Sequence, residues 1–339
     1  MEKNKRSRIY LLLLLIAVFA VYTYRSNQTK TFVINGTTMG TIPYRVKYIA
    51  KENQPFKPAI DSLLQAFNQS LSTYIPDSEI SRFNKQDTLR FSSPYFYEVL
   101  EASQLVYEAS DGLFDPTVSP LIDAYGFGSG EPIGPDSSQV DSLLQYVGFE
   151  KIKFDQQGVR KTVSGVQLNF SAIAKGQAID AVAQWLRSQE IDDYMVEIGG
   201  EVFASGQNEE GDVWVIAIEV PNEYVVGEQF DALPLSNQGM ATSGNYRNFL
   251  TVNGQKVSHT INPKTGFPER SNLLSATVVA PNCMLADAYA TACMAMGLEA
   301  CKALAEKKQD ISIYLIYSDE KGEMQSYSSP ELQPLSLQD

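Results

Sequence analysis

Apolar positions repeat along this chain at two periods, and the switches between them predict most of its elements. Ile60, Leu63, Leu64, Phe67 and Leu71 recur at helical spacing over 58–71. Phe96, Val99, Leu100, Ser103 and Val106 repeat that pattern over 94–110. Residues 33–49 read instead as a strand pair, or one long strand broken at Gly40. Short apolar runs at 151–154, 166–170, 194–198, 213–220, 277–280 and 311–317 are further strands. Helices are expected at 136–147, capped by Asp136 or Ser137, at 172–189 and at 285–296. The Gly/Pro/Ser-rich stretch 126–135 is a loop.

Strands and helices mix without regular βαβ alternation. That favours an α+β or mixed α/β fold, with mixed sheets flanked by helices, over a doubly wound sheet. No repeat and no convincing linker divides residues 31–339, which read as one compact body. Residues 1–30 differ. Lys3, Lys5, Arg6 and Arg8 precede an uncharged run over 9–24, a basic region followed by a hydrophobic one. The run is about sixteen residues, slightly short for a membrane span. We expect a signal anchor, or else a cleaved signal peptide. The basic flank would stay in the cytoplasm and the body would lie at the inner membrane, facing the periplasm or exterior.

Composition narrows the partners. A formal net charge of −13 argues against nucleic-acid binding, which needs a basic footprint. An anionic ligand would then need a local cation, either a metal or a placed lysine. The three cysteines, Cys283, Cys293 and Cys301, form no CxxC and no even framework. Cys293 and Cys301 are expected as small buried apolar residues of an Ala-rich helix.

Several short segments carry chemistry. His259 is the only histidine, so it is the only imidazole available for proton transfer near neutrality. A solvated turn residue is the plain alternative. Asp287 and Thr291 are four apart, hence on one helix face among small residues. That face offers oxygens and room to a hydrated hard cation such as Mg²⁺, or it is an ordinary solvated face. In the 169–176 segment a strand gives way to a helix whose first turn carries Lys175. A cation set against the helix dipole serves a ligand phosphate, or snorkels to solvent. No Walker A spacing is present. The 126–130 glycine cluster lacks the strand and helix of a dinucleotide fingerprint. Stretches 36–41, 112–117 and 241–247 are turns or pocket walls.

Read in order, nine motifs closely resemble the ApbE family, the FAD:protein FMN transferases. They are GTTMGT, LSTYIPDSEISRFN, GLFDPTVSPL, YGFG, SAIAKG, IGGEVFASG, ATSGNYRNF, SHTINPKTG and ADAYAT. The resemblance implies an enzyme that splits FAD, passes FMN to a Thr or Ser hydroxyl of a target flavoprotein, and releases AMP. It implies Mg²⁺ held by Asp287, Thr291 and the backbone oxygen of Ala172. It places Lys175 on the FAD phosphates. Met39, Tyr74, Leu113, Phe114, Asp115, Asn169, Ser258 and His259 would contact FAD. His259 is expected to be the base that deprotonates the acceptor. The family's frequent Asp-Leu-Gly before AIAKG is here Asn169-Phe170-Ser171, an amide without the carboxylate's charge. The same site with water as nucleophile would be an FAD pyrophosphatase giving FMN and AMP. A non-catalytic exported FAD-binding protein is the third reading.

Overall fold

A computed structural model describes residues 29–127, 134–221, 227–245, 249–252, 255–258, 260–269 and 271–336, with Tyr10, Leu13, Leu15 and Ile16. The expected strand pair is a hairpin of β1 (Lys30–Thr38) and β2 (Ile42–Ala50), in register from Lys30 opposite Ala50 to Thr38 opposite Ile42. Gly40 turns it at φ 89°, where a side chain would be strained. The helical patterns become α1 (Lys57–Leu71) and α3 (Pro94–Ala109), separated by α2 (Glu79–Lys85) and β3 (Thr88–Arg90). After α4 (Ser119–Tyr125), α5 (Ser137–Leu144) begins in a capping box between Asp136 and Gln139. Then come β4 (Ile152–Asp155), β5 (Gly158–Lys161), α6 (Ala174–Ser188), β6 (Tyr194–Ile198) and β7 (Glu201–Ser205). β8 (Trp214–Glu219), β9 (Gln229–Leu235), β10 (Gln238–Gly244), β11 (Phe249–Val252), β12 (Gln255–Ser258) and β13 (Leu273–Ala280) follow. The chain continues through α7 (Cys283–Met296), α8 (Leu298–Lys307), β14 (Ser312–Ser318), β15 (Met324–Ser328) and β16 (Leu335–Ser336).

The central sheet runs β1-β2-β6-β7-β10-β13-β14-β15, and its neighbours are all antiparallel. One face packs against α1, α3, α6 and α7 through residues such as Phe67, Phe96, Ile179, Val196 and Phe203. The other face is covered by the sheet β16-β9-β8, with Val202, Ala204, Trp214, Leu233 and Val279 between. Adjacent residues of β7 thus belong to different cores, Phe203 to one and Val202 to the other. A strand buried on both faces loses its alternation, which is why 194–198 and 277–280 read as continuous apolar runs.

Three expectations are corrected. Residues 166–170 form no strand: the Asn84 side chain donates to the Leu168 carbonyl (2.9 Å) and accepts from the Leu168 amide (2.8 Å). One amide side chain thus does the work of a neighbouring strand there. The helix expected from 172 starts at Ala174, because the turn before it is closed by Ile173 and Ala174 amides donating to the Phe170 carbonyl. Cys293 and Cys301 are joined in a disulfide, with Cα atoms 4.9 Å apart. One continuous helix would hold residues eight apart at about 12 Å. Gly297, at φ 78°, instead ends α7 and turns α8 back on it.

The expected anchor falls largely outside the described residues. Among the described residues no helix is long and apolar enough to cross a membrane. The 126–130 glycine cluster lies outside them beyond Phe127.

Candidate active site

The close approach of α6 to α7 builds the centre of the site. A Cβ on Gly176 would lie 2.2 Å from the Cys283 carbonyl oxygen, and one on Gly239 would lie 2.3 Å from the Cys283 nitrogen. The start of α7 therefore sits in a slot that two glycines leave open. Asp180, one turn beyond Gly176, accepts the Cys283 and Met284 amides at 2.8 Å each, and so caps α7 from the neighbouring helix. Asn282 caps the same helix from within, accepting the Leu285 amide. This clamp brings Asp287 against α6, where its Oδ2 accepts the Gly176 amide at 3.1 Å.

A cavity of about 460 Å³ opens beside this junction. Leu113, Phe114 and Asp115 form one wall; Asn169, Ala172 and Lys175 form the α6 side; Asp287 and Thr291 form the α7 side. Thr242, Ser243 and Gly244 of β10 close it, with Thr260 and Ile261 at the rim. Met39 and Tyr74 are not on its walls. Met39 sits in the β1–β2 turn packed against the main core, and Tyr74 is 87% exposed in a turn.

Asp115 is a scaffold for its loop. Its Oδ1 accepts the Thr117 amide (2.7 Å) and hydroxyl (2.6 Å), and its Oδ2 accepts the Phe149 amide (3.1 Å). Burial pushes its carboxyl up to about 6, against the pull of those donors. Asn169 uses Oδ1 to accept the Ser171 amide at 2.9 Å and the Ser171 hydroxyl. Its amide nitrogen remains as a donor. Lys175 has its Nζ 2.9 Å from Glu201 Oε1 and 3.8 Å from Asp287 Oδ1. Burial alone would depress its pKa. The charges of Asp287 and Glu201 outweigh burial and hold the ammonium protonated.

Ser258 is described only in its backbone, and His259 lies outside the described residues. The segment after them is held by packing and by its own hydrogen bonds. Ile261 joins Leu121, Tyr125, Val140 and Val147 in a small core, and Gly266 packs where a Cβ would meet Val140 at 2.3 Å. Asn262 Oδ1 accepts the Lys264 and Thr265 amides, and Thr260 donates its hydroxyl to Asn245 at 3.0 Å. Lys264 reaches across to Asp111 at 2.5 Å.

The donor set suits a hard divalent cation. Asp287 is 2% exposed, and Thr291 lies one turn along the same wall with its hydroxyl 3.3 Å from Ser243. With Ala172 these offer oxygens only, the ligands Mg²⁺ prefers. Among the described residues no group of three or more His, Cys, Asp or Glu is arranged to hold a metal. A single carboxylate with neutral oxygens, water and substrate phosphate matches the habit of Mg²⁺ rather than that of Zn²⁺. Glu201, which pairs with Lys175 on the same wall, carries no role from its spacing. Its signal was a carboxylate opening an otherwise apolar strand.

Fold and site together define a sheet-and-helix protein whose cavity sets a lysine ammonium beside a carboxylate and neutral oxygens, a class suited to phosphate-bearing ligands. The chain belongs to the ApbE family, whose profile matches residues 39–315. It is 36% identical over 318 residues to the FAD:protein FMN transferase of Haemophilus influenzae, covering 89% of this chain and 91% of that protein. It is 31% identical to that of Escherichia coli K12 over 321 residues, covering 91% and 90%. Among solved structures, the flavin transferase ApbE from Vibrio cholerae superposes with a TM-score of 0.79 at 34% identity, covering 89% of this chain and 98% of that one. The apo flavinyl transferase ApbE of Pseudomonas stutzeri gives 0.79 at 32%, covering 89% and 96%.

Proposed function

We propose that this protein transfers FMN from FAD to a Thr or Ser hydroxyl of a target flavoprotein, in a Mg²⁺-dependent reaction that releases AMP. The observation that carries it is the single cavity joining Lys175, Asp287, Thr291, Ala172, Asn169 and the 113–115 loop. These residues are scattered over nearly 180 positions of sequence, in a chain that belongs to a flavin-transferase family.

In this reading the acceptor oxygen attacks the FMN phosphorus and the bond to the AMP phosphate oxygen breaks. Lys175 faces the pyrophosphate and offsets its charge. AMP departs as a stable oxyanion and needs no acid. The acceptor hydroxyl does need a base, and His259 takes its proton. Asp287, Thr291 and the Ala172 carbonyl would hold the Mg²⁺, which when bound supplies further neutralisation at the pyrophosphate. The aromatic and apolar 113–114 wall offers a surface for a flat ring.

We place the body outside the cytoplasm, tethered by residues 1–30. The buried Cys293–Cys301 disulfide supports that setting, because such bonds persist in oxidising compartments. The test is incubation with FAD, Mg²⁺ and a candidate flavoprotein, followed by mass spectrometry. A gain of one FMN on one Thr or Ser is expected. Fast FMN and AMP release from FAD alone, with no acceptor labelling, would replace transfer with hydrolysis. Asp287→Ala should lose both turnover and Mg²⁺ dependence. Undiminished transfer at ordinary Mg²⁺ would refute the cation assignment.

A further inference from the structure

Among the described charged residues of the cavity wall, Asp115 is bound into its own loop, and Glu201 is the one beside Lys175 and Asp287 that the reaction above leaves unused. It opens β7 directly after Gly199 and Gly200, whose φ of 63° and 106° make the tight β6–β7 turn. With Phe203 it points to the helix-covered face, so it reaches Lys175 on α6 from the sheet. It is 5% exposed, and its Oε2 is buried without a hydrogen-bond partner. A buried carboxylate with one oxygen unpartnered costs folding free energy that its single ion pair with Lys175 only partly offsets.

Its position relative to Asp287 shows what it does in the site. The Lys175 ammonium lies between the two carboxylates, in contact with Glu201 Oε1 at 2.9 Å but 3.8 Å from Asp287 Oδ1. Asp287 Oδ2 is already committed to the Gly176 amide. Oδ1 is therefore the oxygen left for a cation. A lysine on a flexible four-carbon stem closes on the nearest carboxylate open to it. Were Glu201 absent, that carboxylate would be Asp287.

We propose that Glu201 is a positioning residue: it draws the Lys175 ammonium off Asp287, leaving Asp287 open to the divalent cation and the ammonium fixed at the cavity wall. The inference rests on the reading that Asp287 holds a cation. It follows that cation binding, measured without FAD, depends on a residue that is not itself a ligand.

The test is Mn²⁺ titration by calorimetry on the full-length protein without FAD, with circular dichroism as a check of folding. Glu201→Gln should weaken Mn²⁺ binding about tenfold, in the range seen for residues that orient metal ligands. Adding Lys175→Met to Glu201→Gln should restore it, because no ammonium remains to occupy Asp287. Glu201→Asp keeps the charge but is one methylene too short to hold Lys175, and should also bind Mn²⁺ several-fold more weakly. It serves equally if the Gln variant fails to fold. Wild-type affinity in Glu201→Gln would overturn the proposal. So would wild-type affinity in Glu201→Asp, since the effect would then be one of net charge alone. Absence of Mn²⁺ binding to the wild type, or binding unaffected by Asp287→Ala, would instead overturn the cation reading and this inference with it.

Discussion

Gly176→Ala is the sharpest test of how the site is assembled. The added Cβ would meet three backbone atoms of α7: Cys283 O at 2.2 Å, Cys283 C at 2.5 Å and Met284 Cα at 2.7 Å. None can rotate away, so the helices must part by about 1 Å to regain ordinary contact. Overpacking of this kind costs about 1–3 kcal/mol. The gain in helix propensity from Gly to Ala offsets at most about 1 kcal/mol. A net loss of a few degrees in melting temperature is expected, at roughly 2–4 °C per kcal/mol for a chain of this order of size. Function should suffer more. The same movement strains the Gly176–Asp287 and Asp180–α7 hydrogen bonds and shifts Asp287 relative to Lys175. A displacement near 1 Å costs on the order of 10²-fold in rate. The assay is FMN transfer to a target protein alongside thermal melting, with exposed Gln184→Ala on the same helix as control. If Gly176→Ala melts and transfers like wild type, the close contact between α6 and α7 does not set the site.

The remaining predictions concern proton transfer, the disulfide and pH. His259→Ala should keep FAD binding and lose transfer by about 10²- to 10⁴-fold, read by fluorescence titration and target labelling; normal labelling would remove His259 from the mechanism. Cys293→Ala with Cys301→Ala should cost about 2–3 kcal/mol in urea unfolding, and dithiothreitol should cost the wild type the same amount. Burial pushes the Asp180 carboxyl up to about 7 in the folded protein. The folded state then holds this proton more tightly than the unfolded chain, so stability from this group is full below the ordinary carboxylate range and is lost as pH rises towards 7. Asp180→Asn should lower stability at every pH, because it removes one acceptor for the α7 amides, yet flatten the decline between about pH 4 and 7. An unchanged slope would show that Asp180 is not protonated on folding.

The parts legible in advance were those governed by local rules. The α1 and α3 helices announced themselves through apolar spacing, and α5 through Asp136 as its cap. The β1–β2 hairpin showed as two apolar runs around Gly40. Failures came where a distant residue overrode the local pattern. Residues 166–170 have the composition of a strand, but Asn84, more than eighty positions earlier, satisfies Leu168 on both sides. β5 carries Arg160 and Lys161 on a small sheet and has no apolar alternation to betray it. Cys293 and Cys301 looked like separate helix-core residues because nothing local shows that Gly297 folds one helix back on the other.

The residue types of the site were set by the sequence itself: one imidazole, a carboxylate and hydroxyl one helical turn apart, and a lysine in the first turn of a helix. Covalent chemistry and helical periodicity alone determine those, since they depend on residue identity and spacing of a few positions. Only the tertiary structure decided that Gly176 and Asp287 meet across 111 positions of sequence, with Lys175 beside them, and that Glu201 holds the lysine. Such meetings depend on how closely α6, α7 and β7 pack. Closeness of packing is settled by the absence of a Cβ at Gly176 and Gly239 and by the sum of contacts across the sheet. No short window of sequence carries that sum.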